Sequence, residues 1–214
     1  MRRILTVAML GLAATAGGCN YLAFVLSAIV PEPPTPTIDA EYSGLPDHSV
    51  AIVVFASQAT QYDHPLAQLE VASVVAGELQ REVKNVTVID PRRVVKYQNE
   101  NLNWETMDKT ALGRQFSADY VLYVALSEFA TVEPGSMNLY RGRITAEASL
   151  FKTSLGEKDA RVWGSQDFRI LYPPQAAVGL PGETDESIRY ATERAFAQAM
   201  VNKFHKYKVP KEGP

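Results

Sequence analysis

The chain of 214 residues carries a net charge of −3 and one cysteine. This charge balance argues against nucleic acid as a partner, because such a partner requires a strongly basic surface. One cysteine excludes an internal disulfide, and the length allows one domain with a sizeable hydrophobic core plus a tether.

An uncharged leader opens the chain and ends at its one cysteine, Cys19. Two arginines at residues 2–3 precede it, residues 4–18 carry no charge, and three small residues at 16–18 stand directly before Cys19. This pattern predicts a secretory signal peptide over residues 1–18. The cysteine at the exit resembles the lipobox of bacterial lipoproteins. The resemblance implies cleavage before Cys19, a diacylglycerol on its sulfur, and a fatty acyl group such as palmitate on its new amino group.

Two alternatives to lipidation stay open at this point. Residues 4–30 contain no charged side chain and exceed the roughly 20 residues that span a bilayer, so an uncleaved transmembrane anchor would look similar. The other alternative is an incidental cysteine beside an ordinary cleavage site. Lipid anchor and transmembrane anchor alike place the remaining chain on the non-cytoplasmic side of a membrane in the cell envelope. Asn20, in place of Asp, resembles lipoproteins sent to an outer membrane, which predicts a domain facing the periplasm.

A proline-rich tether follows the leader. Four of the seven residues at 31–37 are proline, which predicts an extended spacer of roughly 20 Å. We therefore assign residues 19–48 to a lipidated apolar segment and tether, 49–208 to a single α/β domain, and 209–214 to a disordered tail.

The first half of this domain alternates strands with helices. The continuous apolar run at 50–56 predicts a strand covered on both faces. A helix opening at Asp63-His64-Pro65 and reaching about residue 83 follows. Next come a strand at 86–89, a brief helix capped by Asp90, a helix at 105–117 and a strand at 119–126. This alternation indicates parallel strands joined by right-handed crossovers.

The second half is antiparallel. Apolar residues alternate strictly over 140–150 and less cleanly over 162–172, which predicts a hairpin with one solvated face. Thr184 caps a long C-terminal helix with an acidic start and a lysine-rich end. We therefore predict an α/β (α+β) fold, a two-layer sandwich. It has a mixed sheet of about five strands, helices on one face and a long C-terminal helix.

No motif in the domain carries recognisable chemistry. None of the three histidines has metal-ligand spacing with another histidine or cysteine, and no G-x-S-x-G elbow occurs. We therefore predict no metal, no cofactor and no enzyme. Two rivals stay open: an enzyme of unrecognised type using scattered carboxylates such as Asp63, Asp90 and Glu128, and carriage of a small molecule or lipid in an apolar cavity.

Two arginines form the polar part of a candidate contact surface. Arg141 and Arg143 project to the same side of their strand, where Arg114 or Lys152 would extend them into a basic patch. Charged residues on an edge strand also serve simply to prevent edge-to-edge association, and this alternative stays open.

Three apolar residues complete the candidate contact surface. Val178 and Leu180 lie in a loop that is apolar for an exposed segment, and such loops are frequent contact sites. The same loop could instead fold back and cap the core. Trp163 has the opposite parity from Phe168, so we expect it to be exposed.

The order of elements over residues 49–172 resembles a group of envelope lipoproteins. The strand at 50–56, the strand at 86–90, a helix running into residues 117–122, and a long hairpin carry this resemblance. The group comprises the curli-secretion pore lipoproteins, the lipoprotein activators of penicillin-binding proteins, and the N-terminal domain of the Tol-system propeller protein. Membership would imply binding and assembly rather than catalysis, and only Cys19 matches a functional position. A secretion pore needs further amphipathic transmembrane hairpins, so a pore is disfavoured.

A second resemblance competes with the first. The cysteine leader, residues 127–129 before a long hairpin, and the closing helix resemble auxiliary lipoproteins of ABC-type envelope lipid-transport systems. Both resemblances imply a membrane-anchored accessory that docks on larger envelope machinery, with envelope proteins or a homo-oligomer as partners.

Overall fold

The computed structural model describes residues 35–174 and 179–209. The chain divides into two compact units, residues 1–37 with 208–214, and residues 38–207, here called the sheet unit. The leader with Cys19, the loop residue Val178, and the tail beyond residue 209 lie outside the described residues. In the part of the chain that is described, no helix has the length and apolarity needed to cross a membrane.

The sheet unit is built on a five-stranded mixed sheet of order β3-β2-β4-β5-β6. Its strands are β2 (Ser49–Ala56), β3 (Thr87–Val88), β4 (Tyr120–Val132), β5 (Tyr140–Lys152) and β6 (Arg161–Tyr172). β3 and β4 run parallel to β2, whereas β5 runs antiparallel to both of its neighbours. Short strands β1 (Thr37–Ile38) and β7 (Tyr207–Lys208) form a separate two-stranded ladder. The predicted fold class, a mixed sheet of five strands, is confirmed.

The helices are α1 (Gln58–Asp63), α2 (Ala67–Glu82), α3 (Pro91–Glu100), α4 (Lys109–Phe116) and α5 (Asp185–Val201), with a 3₁₀ turn at Trp104–Thr106. Asp90 caps α3 through its carboxylate, which accepts from the backbone N–H of Arg92 at 2.9 Å. Thr184 caps α5 in a capping box with Ser187. Both predicted caps are confirmed, because capping depends on residues adjacent in sequence.

The helix expected to open at residues 63–65 is instead two helices. Ser57 caps α1, and α2 begins only at Ala67. His64 lies between them with φ −133° and ψ 78°. It precedes Pro65, and a residue before proline is disfavoured in the helical region by steric contact with the proline ring. The proline therefore separates two helices rather than opening one.

Helices cover both faces of the parallel half of the sheet, where we expected them on one. Residues Val50, Ile52 and Val54 of β2 pack with α2 and α5, whereas Ala51 and Val53 pack with α3 and α4 on the opposite face. β3 lies on one side of β2 and β4 on the other. The two crossovers therefore run in opposite directions along the sheet. Parallel crossovers are right-handed as a rule, and two that run in opposite directions then place their helices on opposite faces, as observed here.

The hairpin follows the predicted alternation along β5, whose even-numbered residues Ile144, Ala146, Ala148 and Leu150 are buried. In β6 the alternation is broken by a bulge. Ala146 pairs with Phe168 and Ala148 with Ser165, so β6 uses one residue more than β5 over this interval. Because of this extra residue, the β6 side chains before the bulge lie on the opposite face of the sheet from the one that simple alternation predicts.

Candidate interaction surfaces

One end of the sheet unit, here called the base, lies at the N-terminal ends of β2 and β4, where residues 39–48 run. The backbone N–H groups of Glu41 and Tyr42 donate to the carbonyl of Lys203 at 2.8 and 3.0 Å. The Tyr42 hydroxyl donates to that of Tyr120 at 2.9 Å. These bonds hold the segment after Ile38 against the body of the unit. The base is therefore the end at which the chain enters the sheet unit.

The opposite end exposes large apolar side chains on α1 and on three loops. Here called the apolar tip, it consists of Tyr62, Leu66, Leu102 and Met137, which are 87%, 57%, 88% and 88% exposed. Tyr62 and Leu66 follow the C-terminal end of β2, and Leu102 lies just before the 3₁₀ turn, whose Trp104 packs near Phe55 at that same end. Met137 lies in the turn between β4 and β5, further from the base, because β4 continues six residues past the last β2 pair, roughly 20 Å. Exposed apolar side chains gathered at one end of a domain are typical of contact surfaces.

Trp163 is half-buried rather than exposed. Its ring lies 4.9 Å from that of Phe204, centroid to centroid, and its Nε1 donates to Glu41 at 2.8 Å. The β6 bulge places Trp163 on the same face as Phe168, against α5 and the segment after it. Trp163 therefore connects β6 to Glu41 and Phe204 at the base.

Leu180 pairs with the hairpin. Its N–H and carbonyl exchange hydrogen bonds with the backbone of Tyr140 at 2.8 and 3.0 Å, and its side chain is half-buried. In the part of the 172–182 loop that the structure describes, Leu180 thus folds back onto the hairpin. This agrees with one of the two alternatives from the sequence, a loop that folds back rather than an exposed contact loop. A contact role for Trp163 and Leu180 stays a prediction.

The two candidate arginines are engaged within the hairpin. Arg143 Nε lies 2.8 Å from Glu128 Oε1, and its Nη1 donates to the carbonyl of Val132 at 3.1 Å. Arg141 Nη1 lies 3.9 Å from Glu133 Oε2. These interactions join β4 to β5 in the part of the hairpin that extends past β2. A contact role for either arginine stays a prediction.

The basic patch that would join these arginines to Arg114 or Lys152 is not formed. Lys152 lies nine residues along β5 from Arg143, roughly 30 Å away. Arg114 and Lys152 instead line one groove at the base, of about 550 Å³. The strand direction that sets this separation depends on the pairing of β5 with β4, which is not a local property.

The carboxylates named for an enzyme rival do not converge. Asp63 ends α1 and is exposed, Asp90 is used as a cap, and Glu128 is paired with Arg143. Over residues 35–174 and 179–209, no group of three or more histidine, cysteine, aspartate or glutamate side chains is arranged to hold a metal ion. His64 stacks on Phe129, with ring centroids 4.6 Å apart.

Sequence reasoning missed one buried acid, Glu193 on α5, which is 5% exposed. It lines a groove of about 380 Å³ with Glu70 of α2 and Arg189. Burial first, and then the charge of Glu70, raise the pKa of Glu193 to about 7, while the charge of Arg189 opposes the rise. The sequence does contain a pattern that predicts this burial. Glu193 lies on the same helix face as three buried residues that follow it at spacings of three, four and seven, namely Phe196, Ala197 and Met200. Glu193 therefore keeps its proton in mildly acidic solution and loses it as the pH rises through about 7.

No family model matches the chain, and no curated protein does. Among solved structures, a PelC dodecamer from Paraburkholderia phytofirmans is 13% identical, covering 78% of this chain and 96% of that one, with a TM-score of 0.45. Lipoprotein GNA1162 from Neisseria meningitidis is 14% identical over 73% and 96% of the two chains, with a TM-score of 0.41. A lipoprotein from Caulobacter crescentus is 12% identical over 70% and 84%, with a TM-score of 0.31. At such identities and scores the similarities assign neither a family nor a function.

Proposed function

We propose that this chain is a non-catalytic lipoprotein of the bacterial cell envelope, anchored through Cys19, that serves as a binding and assembly accessory for larger envelope machinery. The anchor is supported by the charge-free leader that ends in small residues before Cys19. Asn20 supports an outer-membrane location with the domain in the periplasm. The docking role is supported by one structural observation, the apolar tip.

The position of the apolar tip matters because it is the end of the sheet unit opposite the base. A protein held through the base keeps its opposite end accessible to a partner. Loops held on a rigid sheet carry contact residues at low cost to the fold. The unburied area of Tyr62, Leu102 and Met137 is consistent with a surface that becomes covered only in a complex.

The anchor is tested by metabolic labelling with radioactive palmitate. The wild-type chain should incorporate label, and Cys19→Ala should incorporate none, because the acceptor sulfur is removed. Label retained in Cys19→Ala would refute the anchor.

The docking role is tested by a photoreactive amino acid placed at Leu66 or at Met137 in cells that retain their envelope. We expect discrete adducts from these positions and none from Glu157, an exposed control position in the β5–β6 turn. A Leu102→Glu substitution should weaken the adduct formed from position 66. Equal adducts from the tip and the control would contradict the proposal. The mass of the adduct separates a second copy of this chain from a component of assembly or lipid-transport machinery.

A further inference from the structure

The groove at the base brings together two cations, Arg114 and Lys152. Arg114 comes from the last turn of α4 and Lys152 from the end of β5. Among the described residues neither side chain forms an ion pair. Arg114 donates from Nη1 to the Thr110 hydroxyl at 3.0 Å, which leaves its other N–H groups for a ligand. Lys152 Nζ lies 5.8 Å from the ring centre of Tyr120. Two such cations in one groove attract an anion.

Hydroxyl groups complete the donor set of the groove. Ser117, Thr153 and Ser154 line it together with the two cations. The Thr153 hydroxyl oxygen is buried against Gly113 of α4, so the hydroxyls exposed to the groove are those of Ser117 and Ser154. Ser117 has a φ of 55° at the end of α4, so the chain turns sharply there.

Asp119 is the acidic side chain on the groove wall, and one of its oxygens is hydrogen-bonded to Ser49. Its Oδ2 accepts from the N–H and the hydroxyl of Ser49 at 2.8 and 2.7 Å. These hydrogen bonds, together with the charge of Lys152, lower the pKa of Asp119, so the carboxylate stays ionised. The groove therefore contains two cations and one carboxylate, and the Oδ2 of that carboxylate is directed at Ser49. Its net charge is positive.

We propose that this groove binds a phosphate group, either free or carried by a lipid headgroup. Arginine, lysine and hydroxyl donors are the set that phosphate oxygens accept from in proteins. Here they come from three places, the end of α4, the turn before β4 and the end of β5. Donors on several sides suit a tetrahedral anion, whereas a planar carboxylate is matched by one bidentate arginine. A volume of about 550 Å³ also accommodates a headgroup.

The test uses the full-length protein in maltoside micelles, which contain no phosphate, and follows backbone amide shifts by NMR. One arm adds inorganic phosphate at constant ionic strength, and the other adds a short-chain phosphatidylglycerol to the micelles. We expect saturable shifts at Ser117, Thr153 and Ser154 in at least one arm. A response to phosphate alone identifies a free phosphate ligand, and a response to the lipid alone identifies a headgroup.

The variants make the test specific. Arg114→Gln and Lys152→Gln should each weaken binding about tenfold or more, because each removes a charge-assisted hydrogen bond. Arg93→Gln removes an exposed arginine of α3 outside the groove and should leave affinity unchanged. Asp119→Asn keeps an acceptor for Ser49, removes the opposing charge and should tighten binding, which general damage to the fold would not do. Absence of groove shifts in both arms, or equal weakening by Arg93→Gln, overturns the proposal.

Discussion

Replacing Glu193 with glutamine should change how stability depends on pH. Burial first, then the neighbouring Glu70, raise the pKa of Glu193 from 4.5 to about 7. The folded state therefore binds this proton more tightly than the unfolded state does. Its contribution to stability is complete below pH 4.5 and is lost as the pH rises to about 7. A rise from 4.5 to about 7 corresponds to a loss of about 3 kcal/mol.

Glu193→Gln retains the shape and a hydrogen-bond donor of the protonated acid but does not titrate. Ionised Glu193 would face Glu70 and Glu186, with Arg189 and Arg92 as the cations lining the same groove. Arg189 Nη1 already lies 3.6 Å from Glu70 Oε2, so it does not neutralise both carboxylates. We therefore expect the variant to be more stable than the wild type at pH 8 and nearly equal to it at pH 5.

Thermal unfolding followed by circular dichroism at pH 5 and pH 8 measures this difference. The wild type should lose about 2–3 kcal/mol of stability between pH 5 and pH 8, and Glu193→Gln should not. For a domain of this size, the Tm of the variant minus that of the wild type should therefore be roughly 5–10 °C larger at pH 8 than at pH 5. Glu147→Gln, at an exposed position on β5, is the control and should show no such change. A gap between wild type and Glu193→Gln that is the same at both pH values would refute the reasoning.

Two further predictions concern packing and a strand edge. A Cβ at Gly142 would come within 1.6 Å of the Thr192 hydroxyl and 2.7 Å of the Thr192 Cβ, so Gly142→Ala should cost about 1–3 kcal/mol in urea unfolding. A second change, Thr192→Ala, removes the hydroxyl but leaves the Cβ and should recover part of this loss. No recovery at all would contradict the contact. The side-chain amides of Gln68 and Gln98 both donate to the Val54 carbonyl at 3.0 Å, where β3 is too short to supply a partner. Changing either glutamine to leucine should therefore lower the free energy of unfolding by about 1 kcal/mol or less. Changing both should lower it by clearly more than the sum of the two single losses, because the Val54 carbonyl is then unsatisfied. A double-variant loss equal to that sum would contradict this prediction.

Local signals predicted much of the fold. The β-branched run at 50–56 became β2, and the caps at Asp90 and Thr184 lie where the sequence placed them. Each depends on residues within one turn or one strand. The break at Pro65 was also readable in principle, since the restriction on His64 is local.

Non-local pairing accounts for what sequence reasoning missed. The position of Trp163 depends on a bulge defined only by the pairing of β5 with β6. Placement of helices on both faces depends on strand order, with β3 and β4 on opposite sides of β2. The groove that joins Arg114 to Lys152 combines a helix end and a strand end that are 38 positions apart in the sequence, and no periodicity connects them.

The mass of the N-terminal peptide of the protein extracted from membranes tests the anchor most directly. Lipidation predicts a peptide that begins at Cys19 and carries a diacylglycerol and an acyl chain, with residues 1–18 absent. A peptide that begins at Met1, or a Cys19 with a free thiol, would contradict the account.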